Sequence, residues 1–106
     1  MKEQANLDYF NQIANGEEAI MNTLISILKS ELPEQVEEYK QSISEPNFKE
    51  SAEAVHKLKH KIGLLGLEKG YQITQQFEEN LRNHSLENKT EFETILKNIT
   101  NFTQNL

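Results

Sequence analysis

The sequence predicts an all-α protein, an antiparallel four-helix bundle with a short extra N-terminal helix. Apolar residues recur at steps of three and four in each long segment, which is the period of amphipathic helices. No segment alternates with period two for long enough to be a strand. The connections are short, which favours antiparallel neighbours. With 106 residues, the chain suffices for one modest core, so residues 1–106 are expected to form a single domain.

A stop signal, Asn15-Gly16, separates the first two predicted helices. The second begins near Glu17, and Pro33 interrupts its apolar face. Apolar residues resume after the proline, which favours a kink at residues 29–32 over a full break. The predicted buried faces comprise Leu7, Phe10, Ile13 and Ala14 in the first helix, and Ile20, Leu24, Ile25, Leu28, Leu32, Val36, Tyr39 and Ile43 in the second.

The third helix is predicted to follow a turn at residues 44–47. Asn47 has the features of an N-cap, and Glu50 lies at the position of a capping-box acid. The helix should therefore extend from about Phe48 to about Leu65. Its predicted buried stripe comprises Phe48, Ala52, Val55, Leu58, Ile62 and Leu65.

Two further helices complete the predicted bundle. One starts at Glu68 and ends near residues 83–85. Asn88 and Glu91 then repeat the cap pattern before the last helix. The residues that share one side of the first of these helices are Leu67, Tyr71, Thr74, Phe77, Glu78 and Leu81, and the apolar stripe of the second comprises Phe92, Ile95, Leu96, Ile99, Phe102 and Leu106.

Composition excludes several classes of protein. The net charge of −6 argues against a nucleic acid partner, because neutralising phosphates requires a basic face. The absence of cysteine excludes disulfides and thiolate metal sites. No apolar stretch approaches the roughly 18 residues of a membrane span, and the first residues contain no hydrophobic signal region. We therefore expect a cytoplasmic monomer that does not bind membranes.

The most informative stretch is residues 54–67, which contain two of the three histidines and no acidic residue. This local reversal of sign stands out in an acidic chain. At about 100° per residue, His56 falls to one side of the buried stripe, at the rim of the bundle. Lys59 should flank His56 from the core side, whereas Lys57 and Lys61 should point fully outward. His60 lies one turn further on, more exposed, with Gly63 on the same line.

Residues 55–60, Val-His-Lys-Leu-Lys-His, resemble the Ala-His-x-Leu-Lys-Gly motif of the histidine-containing phosphotransfer (HPt) domain family. Gly66 also falls at the family's glycine ten residues after the histidine. The resemblance implies that His56 is phosphorylated and that Lys59 is the lysine beside it. One departure is His60, which stands where most members have a glycine that leaves room for the phosphohistidine. A histidine at this position must turn outward, or it crowds the site.

The resemblance implies a phosphorelay carrier. His56 would accept a phosphoryl group from the phosphoaspartate of one receiver domain and pass it to another, with a hybrid histidine kinase as a further candidate partner. The chain has no Gly-rich nucleotide loop and no clustered acids for Mg²⁺, so no cofactor is expected. In the family, the receiver supplies the Mg²⁺ and most of the catalysis, so the domain itself is expected not to be an enzyme.

Other residues are predicted to support this role. Glu78 lies where family members often have Glu or Gln near the histidine, and it would orient the ring through the unphosphorylated nitrogen. Lys57 and Lys61 would attract an acidic receiver. His60 would restrict which receivers dock. Gly63 has two interpretations: close helix packing, or a low surface beside His56 for a docking partner.

Two alternatives remain open from the sequence. His56 and His60 are spaced for two ligands of a Zn²⁺-like ion, with Glu53 near the same line. Two histidines without a third ligand are a weak signal, and the alternating lysines would repel a cation, so no metal site is predicted. The other alternative is a helical interaction module that keeps the HPt-like bundle without phosphotransfer.

Overall fold

The computed structural model describes residues 3–45 and 47–106, and these contain five helices and no strand. Pro46, in the predicted turn at residues 44–47, lies outside the described residues, as do Met1 and Lys2. The all-α prediction is confirmed. The helices are α1 (Asp8–Ala14), α2 (Glu18–Ser44), α3 (Phe48–Leu64), α4 (Glu68–Arg82) and α5 (Lys89–Gln104).

The helices α2 to α5 pack around one hydrophobic core. Helix α3 lies against both α2 and α4, α5 contacts both α4 and α2, and α1 packs on α2. Three aromatic rings, those of Tyr39, Phe77 and Phe92, meet inside this core with centroids 5.0–6.4 Å apart. The fully buried aliphatic side chains beside them include Leu28, Leu32, Val55, Leu58, Ile62, Leu65, Leu81 and Ile99.

Helix α2 continues through Pro33, as expected from the apolar residues on both sides of it. Leu32 and Val36 are both buried, so core contacts hold the helix together across the proline. Two burial predictions are wrong. Ile20 is exposed because its neighbour Met21 packs against the core instead. Ile13 is exposed because α1 rests on α2 with one face only, that of Phe10 and Ala14.

The helix caps follow the sequence signals in part. The left-handed backbone of Asn15 and Gly16 ends α1, and Asn47 Oδ1 accepts the N–H of Glu50 at 3.1 Å. The capping-box role of Glu50 is wrong, because the N–H of Asn47 donates to the Ser42 carbonyl instead, at 3.1 Å.

The predicted side-chain cap at the start of α5 is also wrong. Helix α5 does begin directly after Asn88, whose backbone is left-handed, but that side chain does not cap the helix. Its Oδ1 accepts a hydrogen bond from Asn80 Nδ2 at 2.8 Å, so Asn88 ties α5 to the end of α4.

The non-helical residues 3–7, here called the N-terminal strap, fasten the connection between α3 and α4. The Glu3 carboxylate accepts the N–H groups of Lys69 and Gly70 at 2.8 and 2.9 Å, so it caps α4 from a distant part of the chain. The Asn6 N–H donates to the Leu65 carbonyl at 2.9 Å. Gly66 has a φ of +82°, and a Cβ there would lie 2.5 Å from the Asn6 side chain. Glycine therefore allows both the turn and the strap.

Candidate functional site

His56 lies on α3 with its side chain 49% exposed. Its chain neighbour Val55 and the nearby Leu58 are fully buried, so the backbone beneath the ring is anchored in the core. The predicted position at the rim of the bundle is confirmed. One edge of the imidazole faces α4, and the other is directed away from the core.

Glu78 on α4 fixes the inner edge of this ring. Both carboxylate oxygens lie 3.2 Å from His56 Nδ1, and the Glu78 side chain is only 10% exposed. Burial by itself would raise the pKa of Glu78, but hydrogen bonds from Lys59, Arg82 and His56 outweigh it and hold the pKa below its usual range. An ionised carboxylate only accepts hydrogen bonds, so Nδ1 carries a proton, and in the neutral form of the ring Nε2 then has the free lone pair.

Two cations hold Glu78 in place. Lys59 Nζ lies 3.0 Å from Oε1, and the lysine side chain is only 11% exposed. Arg82 Nη2 lies 3.0 Å from Oε2, one helical turn further along α4. The core-side position predicted for Lys59 is confirmed. The contribution of Arg82 was missed in the sequence, although its spacing of four residues from Glu78 was a readable signal.

His60 stands over the outer edge of His56. The two Nε2 atoms are 3.4 Å apart, and the rings are nearly perpendicular with centroids 4.9 Å apart. Because His56 Nε2 is the acceptor in this pair, His60 Nε2 is the donor. Of the two orientations that the sequence allowed, His60 therefore adopts the crowded one.

The two outer lysines differ from one another. Lys57 is 54% exposed, and its Nζ lies 3.2 Å from Glu38 on α2. Lys61 is only 14% exposed, and its Nζ lies 2.8 Å from Glu31. The prediction that Lys61 points fully outward is wrong, because its aliphatic stem lies along α2 to reach the carboxylate. Of the two lysines that were expected to present exposed positive charge beside His56, only Lys57 does so.

Gly63 lies where α3 and α4 come close together. A Cβ at this position would be 3.1 Å from Cδ2 of the Tyr71 ring, which is tighter than ordinary van der Waals contact. Lys59 Nζ lies 5.6 Å from the centre of the same ring. This geometry supports the close-packing interpretation of Gly63, and its predicted role in docking stays a prediction.

Within residues 3–45 and 47–106, no three His, Asp or Glu side chains are grouped to hold a metal ion. No helix in this part of the chain is long and apolar enough to cross a membrane.

A family model described as the Hpt domain matches residues 23–104, which is most of the chain and includes all the residues of the site. The chain belongs to the Hpt domain family. Hpt domains are helical bundles that carry phosphoryl groups on histidine in two-component phosphorelays, where they interact with receiver domains as carriers and not as catalysts. Helix α1 and the N-terminal strap precede the matched region. No curated protein and no solved structure matches the chain.

Proposed function

We propose that this Hpt domain accepts a phosphoryl group on His56 Nε2 from the phosphoaspartate of one receiver domain and passes it to a second receiver. The observation that carries the proposal is the contact between Glu78 and His56 Nδ1. It leaves Nε2 as the nucleophilic nitrogen, on the exposed side of the ring.

His56 accepts the phosphoryl group without losing a proton. The Nε2 lone pair attacks phosphorus, the bond between phosphorus and the aspartyl oxygen breaks, and the receiver's carboxylate leaves. The imidazole gains positive charge during this step, because its Nδ1 proton stays in place. Glu78 is close enough to stabilise that charge, and its ionised form requires no reorganisation.

Lys59 is proposed to support the site through Glu78. Its Nζ lies 3.0 Å from that carboxylate, and both side chains are largely buried. A hydrogen bond between two charged groups is stronger than one between neutral groups, so Lys59 helps to hold Glu78 in its ionised form. The phosphoryl oxygens would be neutralised chiefly by the Mg²⁺ that the receiver brings, as the family resemblance implies. This domain then needs no cofactor of its own.

The receiver is proposed to dock over the outer surface of α3. Lys57, His60 and Gly63 lie along this surface around His56, with Lys61 at its border with α2. Lys57 is well exposed and suits an acidic receiver pocket. The His60 ring must leave His56 Nε2 before phosphorus can approach, so docking and movement of His60 are coupled in this proposal.

The proposal treats residues 1–106 as one domain and α2 to α5 as an antiparallel four-helix bundle with α1 across it. The short connections and the cycle of contacts among these four helices support that arrangement. It also takes the domain to be a cytoplasmic monomer, which sedimentation of the purified chain and microscopy of a tagged chain would test.

Transfer from a phosphorylated receiver tests the function directly. Wild type should acquire acid-labile phosphate, and His56→Gln should acquire none. Label that persists in His56→Gln and disappears in His60→Gln would overturn the assignment of His56. A wild type that binds receivers tightly but never acquires phosphate would favour the interaction-module alternative.

A further inference from the structure

We propose that His56 and His60 together form a two-histidine site for Zn²⁺, and that an ion bound there blocks phosphoryl acceptance. The binding half of the proposal stands on geometry alone. The blocking half rests on the proposed function, because it assigns a regulatory ligand to the same nitrogen of His56.

The separation of the two histidines fits one tetrahedral ion. Two nitrogens each bound at about 2.05 Å to the same tetrahedral Zn²⁺ lie about 3.3 Å apart. The Nε2 atoms of His56 and His60 are 3.4 Å apart, so the spacing on the helix already suits chelation, and rotation of the His60 ring would turn both lone pairs toward one ion. To bind, the neutral His60 ring releases its Nε2 proton to solvent and takes up a proton on Nδ1, a change of tautomer that conserves the proton count. Both lone pairs then face the ion.

Glu78 supplies the support that a metal-bound histidine needs. Histidine ligands in metal sites usually donate their other ring N–H to a carboxylate, which fixes the tautomer and makes the ligating nitrogen more basic. His56 has this arrangement, with Nδ1 3.2 Å from both oxygens of Glu78. The ring is therefore held in the tautomer that a metal ion requires.

The lysines beside the histidines do not exclude a cation, although the sequence suggested that they would. Each has a carboxylate partner: Lys57 pairs with Glu38 at 3.2 Å, Lys59 with Glu78 at 3.0 Å and Lys61 with Glu31 at 2.8 Å. Arg82 shares Glu78 with Lys59, so three carboxylates from α2 and α4 face four cations and compensate most, but not all, of the positive charge around the histidines. Repulsion of a divalent ion is much weaker than the lysine count implies.

The remaining coordination positions would be filled by water, since no third ligand is grouped with the pair in the described residues. Such a site binds reversibly and stays open to solvent. A bound ion uses the Nε2 lone pair of His56, the same electron pair that must attack phosphorus. Chelation and phosphorylation are therefore mutually exclusive at this nitrogen.

Titration of the unphosphorylated chain with Zn²⁺, in competition with a chromophoric chelator, tests the binding half. One ion per chain should bind to wild type. Loss of a supporting carboxylate alone costs a metal site about 10–100-fold in affinity, so removing a ligand in His60→Gln or His56→Gln should cost at least about tenfold.

The matched control is His84→Asn, which removes the remaining histidine. His84 is exposed and has a φ of +62°, a conformation that asparagine tolerates. This variant should bind Zn²⁺ like wild type, and Mg²⁺ should not compete in any variant. Equal Zn²⁺ affinity in wild type and His60→Gln would overturn the site.

Chemical phosphorylation with phosphoramidate tests the blocking half without a receiver or Mg²⁺. Zn²⁺ at a concentration that occupies the wild-type site but lies below the dissociation constant measured for His60→Gln should suppress phosphorylation of wild type and leave His60→Gln nearly unaffected. Equal rates with and without bound ion in wild type would overturn the blocking. If neither phosphoramidate nor a receiver phosphorylates wild type without Zn²⁺, the proposed function fails, while the titration still decides the metal site.

Discussion

Glu78 contacts His56 through both of its carboxylate oxygens, each 3.2 Å from Nδ1. The same carboxylate also binds Lys59 and Arg82. One buried acid therefore determines the orientation of the ring, the tautomer of the ring and the position of the nearest lysine. Changes at Glu78 should affect both phosphoryl acceptance and stability.

Replacement of Glu78 by glutamine should slow acceptance at His56 without abolishing it. A hydrogen bond to a charged acceptor exceeds a neutral one by about 1 kcal/mol, which corresponds to about a fivefold slower transfer. A time course of phosphoryl transfer from a labelled receiver, quenched at successive times, measures this rate. Glu79→Gln, on the exposed side of the same helix, is the matched control and should transfer normally. A Glu78→Gln domain as fast as that control would exclude electrostatic support by Glu78.

The stability contribution of Glu78 should depend on pH in the acid range. Its pKa is lower in the folded state than the usual value of about 4.3, so the stabilisation is complete above that value. It is lost as the pH falls through the lower folded pKa. We expect Glu78→Gln to be about 1–3 kcal/mol less stable at pH 7, with the difference shrinking below about pH 4. Urea unfolding at several pH values checks this, and a difference that stays constant down to pH 3 would contradict it.

Removal of the His60 ring should make His56 easier to phosphorylate. In His60→Ala the hydrogen bond on the Nε2 lone pair is absent, which is worth about 0.5–1.5 kcal/mol, or roughly two- to tenfold in rate. His60→Gly should also broaden acceptance to other receivers, at a helix-propensity cost below about 1 kcal/mol. Transfer assays with a panel of receivers test both variants. Loss of transfer from the cognate receiver would mean that His60 takes part in the chemistry.

The two outer lysines should differ in their effect on receiver encounter. Lys57→Ala should slow transfer at low salt and have little effect at high salt, because exposed charges are screened over about 8–10 Å at physiological ionic strength. Lys61→Ala should change the encounter rate less, since Lys61 is mostly buried against Glu31. Transfer rates across a salt series measure both. A larger salt-dependent effect from Lys61→Ala would refute this ranking.

Gly66→Ala should destabilise the domain more than Gly16→Ala does. Both glycines have a φ near +80°, so alanine is strained by about 1 kcal/mol at either site. At Gly16 nothing lies within 4 Å of the new Cβ, whereas at Gly66 it would meet the Asn6 side chain at 2.5 Å. Thermal unfolding of the two variants isolates the steric part. Equal losses of stability in the two variants would show that the N-terminal strap moves away from the new Cβ without an energetic cost.

Periodicity was sufficient to predict most of the helices. The stripe on α3 is buried as expected, with Val55, Leu58 and Ile62 fully inaccessible. The position of His56 followed from the same stripe, because a helical wheel fixes the direction of each Cβ. The burial prediction failed at Ile20, because Met21, the next residue of α2, packs against the core in its place.

The contacts of the long side chains could not be predicted in the same way. A helical wheel places Lys61 and His60 on the outer side of α3 but does not determine their χ angles. The Glu31 carboxylate draws Lys61 along α2, and the Nε2 atom of His56 draws the ring of His60 inward. These two contacts depend on how the helices pack and on which rotamers the side chains adopt, and helical periodicity specifies neither.

The N-terminal strap gives the molecule a built-in reporter of local opening. The amide protons of Lys69 and Gly70 lie in the first turn of α4, where no preceding helical carbonyl is available to protect them. Their protection comes from Glu3, more than 60 residues earlier in the chain. Their hydrogen-exchange rates should therefore follow detachment of the strap, while amides in the middle of α4 follow unfolding of the whole bundle. Two backbone positions thus distinguish loosening of one end of the domain from its global denaturation.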